Sequence, residues 1–335
     1  MSKVGFAVIG AGGISNVHLS ALARREDARV LAIADVNPEA AQRQAAKYGV
    51  EKWVTDYRDA LSLPGVDAVV VCTPTFLHAE QVVAAAAAGK HVLCEKPISL
   101  TLEDADRMIA ATEAAGTAFM IAFVRRFCNE WLKFREIIRE GVLGRPVVWR
   151  TASASSGPNR PWFHEADKGG GPFIDGCIHD WDFARYTFGE PERVVASIFS
   201  MKRETSALDT GTAIVRFQSG DEVVRNWSWG LPGEKCRGGS MADILGPKGA
   251  LRFPAGAPET GRTNYFYHMD GDGVEHPLPY HHTTGQEWFD AQMDHFVGCV
   301  KEGRRPAVTG QDGREALRIA LAVLEAGAKR ESVLL

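Results

Sequence analysis

The first 124 residues alternate short apolar runs with segments of helical periodicity. Strands that are apolar throughout are buried on both faces of a sheet, and the helices between them cover those faces. The five apolar runs are Gly5–Ile9, Val30–Ala34, Ala68–Cys72, His91–Cys94 and Ala118–Phe123. The pattern therefore predicts an α/β domain over residues 1–124, built on a doubly wound parallel sheet.

The pattern changes after residue 124. Helices are expected at residues 129–140, 173–188, 286–302 and 312–329, and mostly antiparallel strands over much of 194–278. A chain of 335 residues is longer than one hydrophobic core usually serves. We therefore expect a second α/β domain over residues 125–335, with a large, mostly antiparallel open sheet.

Composition and charge exclude several classes of partner. The net charge of −4 offers no basic surface for nucleic acid or for an anionic membrane. No apolar stretch reaches the roughly 18–20 residues that cross a bilayer, and the N-terminus lacks a signal-peptide pattern. The six cysteines contain no C-x-x-C pair, so reduced thiols are expected. We expect a cytoplasmic protein.

A glycine-rich turn, GAGGIS, follows the first apolar run directly. Gly10 permits a tight turn, Gly12 lets a pyrophosphate approach the backbone, and the next helix offers free N–H groups. Gly13 and Ile14 complete the turn, and Ser15 stands where the G-x-G-x-x-G pattern has its third glycine. This context predicts a Rossmann dinucleotide site. The alternative is a glycine turn without a ligand.

An acidic residue, Asp35, follows the second apolar run about 20 residues after the glycines, as the dinucleotide pattern requires. A carboxylate at this place accepts hydrogen bonds from a ribose diol and repels a 2′-phosphate. Arg24 and Arg25 precede it on the helix, but no basic residue follows it closely. NAD is therefore the expected cofactor, and NADP is less favoured.

Ligands of a doubly wound sheet bind outside the carboxyl ends of its strands. Thr73 and Pro74 follow one strand, and Glu95 and Lys96 follow the next, so all four are expected at the nucleotide crevice. Lys96 could donate a hydrogen bond to the oxygen that reacts at the nicotinamide. Glu95 could bind a cofactor hydroxyl or pair with Lys96. The alternative for Lys96 is a solvated lysine at a strand end.

The second half contains an acid–imidazole pair within GGGPFIDGCIHDWD, residues 169–182. If the chain is helical from Phe173 onward, Asp175 and His179 share a face of the helix. An Asp one turn before a His orients the ring and supports its action as a general base near neutral pH. The alternative is an Asp that interacts with the helix dipole and a His packed at a domain interface.

Taken together, these motifs resemble the glucose–fructose oxidoreductase/inositol dehydrogenase/rhizopine-catabolism (Gfo/Idh/MocA) oxidoreductases. The motifs are the glycine turn, Asp35, T-P-x-x-x-H from Thr73 to His78, E-K-P at 95–97, and D-x-x-x-H. The resemblance covers essentially the entire chain. It implies that Lys96, Asp175 and His179 are catalytic and that His78 belongs to the cofactor site. It also implies a homodimer or homotetramer formed through the open sheet.

Two groups of residues are candidates for substrate binding. Residues 123–127 are similar to the F-x-R-R-[YF] stretch of inositol dehydrogenases, which implies that Arg125 or Arg126 approaches the cofactor or substrate. The alternative is a pair of arginines that bind surface carboxylates. A Gly- and Pro-rich loop also offers groups that suit a sugar, namely Asn159, Trp162 and His164. No further ligands cluster near His281 and His282, so no metal is expected.

Three functional classes fit the sequence. The favoured class is an NAD(P)-dependent dehydrogenase that moves a hydride between the nicotinamide and a secondary alcohol of a polyol, inositol or sugar. In it, His179 removes the hydroxyl proton, Lys96 binds the same oxygen, and Asp175 holds a neighbouring hydroxyl or His179. The second class uses bound NAD transiently during elimination, hydrolysis or epimerisation of a sugar. The third is a non-catalytic regulator that senses NAD or a sugar.

Overall fold

The computed structural model describes residues 3–202 and 204–335, which form two compact units. The first contains the chain up to Phe127 and Thr284–Arg314, and the second contains Cys128–Thr283 and Glu315–Leu335. The expected boundary at residue 124 lies close to the first division. Thr284–Arg314 lies within the expected second domain, residues 125–335, but it belongs to the first unit. Residues 1 and 2, at the start of the expected first domain, lie outside the described residues.

The first unit is built on a six-stranded parallel sheet. Its strands are β1 (Val4–Ile9), β2 (Ala28–Ala34), β3 (Lys52–Val54), β4 (Ala68–Val71), β5 (His91–Cys94) and β6 (Phe119–Ile121). Their order is β3-β2-β1-β4-β5-β6, and every pairing is parallel. All residues of β1 and β4 are buried, which explains their uninterrupted apolar sequence. The expected doubly wound sheet is confirmed.

Five helices alternate with these strands. They are α1 (Ser15–Ala23), α2 (Pro38–Tyr48), α3 (Tyr57–Leu61), α4 (His78–Ala87) and α5 (Leu102–Ala114). The side chain of Asn37 accepts the first N–H groups of α2, and the side chain of Thr101 accepts the N–H of Asp104 in α5. These caps satisfy N–H groups that the start of a helix leaves without backbone partners.

The second unit contains a nine-stranded sheet and two helices, α6 (Asn129–Arg139) before the first strand of the sheet and α7 (Ile178–Phe188) after it. Its strands are β7 (Val148–Ala154), β8 (Pro191–Phe199), β9 (Thr210–Phe217), β10 (Glu222–Ser228), β11 (Met241–Gly246), β12 (Gly249–Arg252), β13 (Thr263–Met269), β14 (Glu275–His281) and β15 (Val333–Leu334). Their order is β14-β13-β12-β11-β7-β10-β9-β8-β15, and β7 pairs with β10 in parallel while the other pairings are antiparallel. The expected large, mostly antiparallel sheet is confirmed.

The two faces of this sheet have different surroundings. One face packs against helices, and Trp149 on β7 contacts the aromatic rings of Trp131 and Phe134 on α6. The opposite face, which we call the outer face, carries exposed apolar side chains. Val195 and Ile214 are directly paired on it. The alternation of buried and exposed residues along these strands follows from a sheet that is covered by helices on one side.

Two helices follow the hairpins, α8 (Gly285–Glu302) and α9 (Gly310–Lys329). Helix α8 packs in the first unit, where Phe296 contacts Phe6 of β1 with ring centroids 6.2 Å apart. Asp290 of α8 also pairs with Arg24, just beyond α1. None of the helices in the described part of the chain combines the length and hydropathy that crossing a bilayer requires.

Candidate active site

Gly10 leaves β1 in a conformation and a space that only glycine tolerates. Its φ is +98°, and a Cβ added there would lie 2.7 Å from the carbonyl carbon of Cys72. A Cβ added at Gly12 or Gly13 would meet no atom within 4 Å. Packing therefore explains Gly10, whereas the other two glycines leave their backbone open to a ligand, as a pyrophosphate site requires.

Ser15, which occupies the position of the third glycine in the motif, is fully buried. Its Oγ donates a hydrogen bond to the carbonyl of Gly12 over 2.7 Å. The hydroxyl thus closes the turn locally, and α1 begins at this residue. The first N–H groups of α1 therefore lie at the glycine turn, and the departure from the motif is compatible with a pyrophosphate site.

Asp35 joins the glycine turn to the start of α2. Its Oδ2 accepts the N–H of Ala11 over 2.7 Å, and its Oδ1 accepts the N–H of Asn37 over 2.8 Å. Each carboxylate oxygen keeps a further acceptor site for a ribose hydroxyl. Arg24 and Arg25 pair with carboxylates of α8 at 2.9 and 2.6 Å, so both are engaged away from a 2′-phosphate. The residues present fit NAD.

The carboxyl ends of β4 and β5 are neighbours in the sheet, with Thr73 and Pro74 after one strand and Lys96 after the other. Lys96 is half-buried, whereas Val92–Glu95 before it and Pro97–Ser99 after it are all buried. The chain thus presents one partly exposed ammonium group at the edge where doubly wound sheets bind ligands. A lysine that interacts with the nicotinamide end of a dinucleotide must lie at this edge of the sheet with its ammonium group accessible.

Glu95 is buried, and its Oε1 lies 2.7 Å from Nε2 of His18. Burial raises the pKa of Glu95, but the hydrogen bond from His18 and the positive charges nearby outweigh it, so the net pKa is below its usual value. Glu95 is therefore a carboxylate at neutral pH. Sequence reasoning missed His18, because a histidine in the middle of a helix carries no signal of a partner 77 positions away.

His78, expected at the cofactor, is buried beneath the segments that follow β4 and β5. Its Nδ1 lies 2.8 Å from the carbonyl oxygen of Pro97, and its Nε2 lies 3.0 Å from that of Thr73. Burial lowers the pKa of His78 more than these carbonyls raise it. A neutral ring has one N–H and donates to one of the two carbonyls at a time. The geometry favours a role in holding the two segments rather than in touching a ligand.

Three glycines of the second unit precede the acid–imidazole pair. Gly170 and Gly171 have φ values of +74° and +76°. A Cβ added at Gly169 would lie 2.5 Å from the Cα of Phe163 in the preceding loop. Positive φ and this close approach explain why the segment is built from glycine.

The helix that the sequence predicts from Phe173 onward has a different form. Pro172–Gly176 is a single π-helical turn, closed by a backbone hydrogen bond of 2.8 Å that spans five residues, and α7 begins after it. Asp175 is buried within the π turn, and His179 lies in the first turn of α7. The expectation of a regular helix with four-residue spacing is therefore wrong, because the wider turn changes the rotation between the two side chains. Such single π turns are frequent at functional sites.

A buried ion pair attaches α7 to the sheet. Asp180, the neighbour of His179, lies 3.1 Å from Nε of Arg225 on β10, and the two side chains are 3% and 4% exposed. The guanidinium also donates to Oγ1 of Thr151 over 2.5 Å and lies 3.7 Å from the centre of the Trp227 ring. These contacts fix the backbone that carries His179. Sequence reasoning missed Arg225, because a charged residue in an alternating strand is normally assigned to the solvated face.

The loop residues expected at the substrate are held to different degrees. Asn159 is exposed, and Trp162 is half-buried with its ring stacked on Phe163 at a centroid distance of 3.7 Å. His164 donates from Nε2 to a backbone carbonyl of the same loop over 2.8 Å and packs against Trp229. The geometry favours a structural role for His164 and leaves Asn159 and Trp162 accessible as candidates.

The two candidate arginines lie in a short 3-10 turn, Val124–Phe127, after β6. The Arg126 side chain is 6% exposed and pairs with Asp312 of α9 over 3.1 Å. Burial raises the pKa of Asp312, but Arg126 and Thr309 together lower it by more than burial raises it. The net pKa is therefore below its usual value. This favours the ion-pair alternative for Arg126, and Arg125 stays a candidate. Within residues 3–202 and 204–335, no group of three or more His, Cys, Asp or Glu side chains is placed to hold a metal ion.

Comparison with known proteins identifies the family. A family model described as "Oxidoreductase family, NAD-binding Rossmann fold" matches residues 4–123, and another described as "GFO/IDH/MocA C-terminal domain" matches residues 131–252. This chain belongs to the Gfo/Idh/MocA oxidoreductase family. The Rossmann domain of this Gfo/Idh/MocA protein binds NAD, as the sequence predicts.

Relatives of this Gfo/Idh/MocA oxidoreductase match it over nearly its full length. A myo-inositol 2-dehydrogenase of Thermotoga maritima is 35% identical over 97% of this chain and 97% of its own. An inositol 2-dehydrogenase of Rhizobium meliloti is 31% identical over 98% of each chain. The solved structure of a probable dehydrogenase from Thermotoga maritima has a TM-score of 0.81 at 33% identity, covering 99% of this chain and 98% of that one. The expected family resemblance is confirmed.

Proposed function

We propose that this Gfo/Idh/MocA oxidoreductase is an NAD-dependent dehydrogenase that acts on a secondary alcohol of an inositol, another polyol or a sugar. Two full-length relatives, at 35% and 31% identity, are named inositol 2-dehydrogenases. The observation that carries the proposal is the single partly exposed lysine between two buried segments at the nucleotide edge. Transient use of NAD and a purely regulatory role are not favoured, because these relatives are named dehydrogenases.

The proposed catalytic residues are Lys96, Asp175 and His179. His179, as a neutral imidazole, takes the proton of the substrate hydroxyl, and Lys96 donates a hydrogen bond to the same oxygen as it becomes a carbonyl. Asp175 holds a neighbouring hydroxyl or the ring of His179. When bound, NAD supplies the acceptor for the hydride that leaves the carbinol carbon. The proton and the hydride leave the same C–OH group, so a ketone forms.

A substrate panel tests this proposal. The purified protein is assayed with inositols, aldoses and sugar acids, first with NAD and then with NADP, by the absorbance of the reduced nicotinamide. We expect turnover of at least one cyclitol or sugar with NAD. Lys96→Ala and His179→Ala should each lower kcat by about 10²–10⁴-fold, the usual range for a lost proton-transfer group.

The control for this experiment is His276→Ala. It removes an exposed histidine that pairs with Asp270 on the β13–β14 hairpin, and it should keep wild-type turnover. Near-normal turnover in both Lys96→Ala and His179→Ala would end the proposal.

We also propose that the enzyme is cytoplasmic and forms a homodimer or homotetramer through the outer face. Val195 and Ile214 on this face are 47% and 36% exposed, and Met241 on β11 is 45% exposed. Val195 and Ile214 are paired across neighbouring strands, and exposed apolar side chains grouped in this way are typical of protein contacts. All six cysteines are thiols rather than half-cystines, which suits a reducing compartment.

A further inference from the structure

The first unit contains a buried histidine that the proposed mechanism does not use. His18 lies in α1, the helix that follows the glycine turn, and none of its surface is exposed. Phe289 of α8 packs against its ring edge to face, with centroids 5.3 Å apart. A buried polar side chain normally has a specific hydrogen-bond partner. Here that partner is Glu95, the residue directly before Lys96.

Glu95 extends this contact to the backbone of Lys96. One carboxylate oxygen lies 2.7 Å from Nε2 of His18, and the other accepts the N–H of Lys96 over 3.2 Å. An ionised carboxylate only accepts hydrogen bonds, so the shared proton is carried by Nε2 of His18. Two consecutive hydrogen bonds therefore connect α1 to the Lys96 peptide.

The chain after Lys96 is held separately. The carbonyl oxygen of Pro97 lies 2.8 Å from Nδ1 of His78, and Pro97–Ser99 is buried. The backbone at Lys96 is thus fixed from both sides by buried side chains. A catalytic side chain needs such support to stay in its productive geometry.

We propose that His18 is a positioning residue which, through Glu95, ties the orientation of Lys96 to the helix that binds the dinucleotide. The inference rests on the proposed function, in which Lys96 is catalytic. Helix α1 begins at Ser15, within one turn of His18, and its first N–H groups serve the pyrophosphate. NAD binding that orders the start of α1 therefore also orders the Lys96 peptide, so the lysine is aligned when the cofactor is present.

A double-mutant cycle between His18 and Lys96 tests the inference. His18→Leu removes both ring nitrogens, whereas His18→Gln places an amide N–H at about the position of Nε2, where it can still donate to Glu95. We expect His18→Leu to lower kcat by about 10–100-fold and His18→Gln by less than about 5-fold, because only the former loses the hydrogen bond to Glu95. Added to Lys96→Ala, His18→Leu should lower kcat by less than about 2-fold, because residues that act as a unit are not additive.

Hydrogen exchange gives a readout that needs no turnover. In the wild type, saturating NADH should slow exchange of the peptide that contains the Lys96 amide, and this response should be strongly reduced in His18→Leu. The control is Ser20→Ala, which removes a hydrogen bond from the same helix to Tyr48 and should leave both kcat and the NADH response unchanged.

The outcomes separate this inference from the proposed function. If His18→Leu lowers kcat by the same factor with and without Lys96, or keeps the full NADH response, the inference is overturned while the proposed function stands. Normal turnover in Lys96→Ala alone also overturns this inference, whereas normal turnover in both Lys96→Ala and His179→Ala overturns the proposed function itself. If His18→Leu does not yield folded protein, Glu95→Gln takes its place in the cycle, with the same expected non-additivity.

Discussion

Two glycines of one turn are constrained by different neighbours. Gly10 has a positive φ, and a Cβ added there would clash with the carbonyl group of Cys72, so the fold itself requires glycine at this position. Gly12 has open space where a Cβ would lie, so its requirement comes from the ligand that approaches the backbone. A single residue type thus serves the fold at one position and the cofactor two positions later.

Substitution by alanine should separate these two roles. Gly10→Ala should lower the free energy of unfolding by about 1–3 kcal/mol, because a Cβ at positive φ is strained and meets backbone atoms. Gly12→Ala should change it by less than about 0.5 kcal/mol and should instead raise the Kd for NADH. Urea unfolding and nicotinamide fluorescence measure the two quantities. An equal loss of stability at both positions would contradict this assignment.

At the scale of elements, the sequence predicts those whose signals are local. The buried strands β1 and β4 appear as uninterrupted apolar runs. The π turn before α7 could not be predicted, because its surroundings come from distant parts of the chain. A Cβ added at Gly176 in this turn would lie 3.1 Å from the indole nitrogen of Trp227, 51 positions away. The partners of His18 and Arg225 were missed for the same reason, since each contact joins distant elements.

The ion pair that attaches α7 to the sheet should be a major contributor to stability. Arg225→Met should lower the free energy of unfolding by about 3–5 kcal/mol, because it leaves the buried Asp180 carboxylate without the guanidinium. Arg150→Met, which removes a 38% exposed guanidinium that pairs with Asp243 on the same sheet, should cost less than about 1 kcal/mol. Denaturant unfolding of both variants measures the two losses of free energy. Similar losses at the two positions would show that burial does not distinguish the pairs.

For the whole molecule, the nine-stranded sheet raises the question of what covers its outer face. The helices of the second unit pack on the other face, so Val195 and Ile214 remain exposed in a single chain. Apolar patches of this kind are unfavourable in water unless a partner buries them. A second copy of the chain is the partner that we propose.

A charge on the outer face should therefore change the oligomeric state. Ile214→Glu should shift the sedimentation coefficient toward that of a smaller species, because it places a carboxylate in an interface that excludes water. Val274→Glu is the control, since Val274 is 51% exposed but lies in the turn between β13 and β14. If Ile214→Glu sediments as the wild type does, the proposed interface is wrong.

The return of Thr284–Arg314 to the first unit sets an order of events during synthesis. Strands β1 to β6 leave the ribosome early. Phe6 and His18, however, cannot form their ring contacts until Phe296 and Phe289 of α8 are made. Helix α8 is translated after every strand of the nine-stranded sheet except β15. The nascent dinucleotide-binding unit thus stays uncovered along α1 until nearly the whole polypeptide has been made. A ribosome that stalls midway would release a Rossmann sheet without the helix that covers one of its sides.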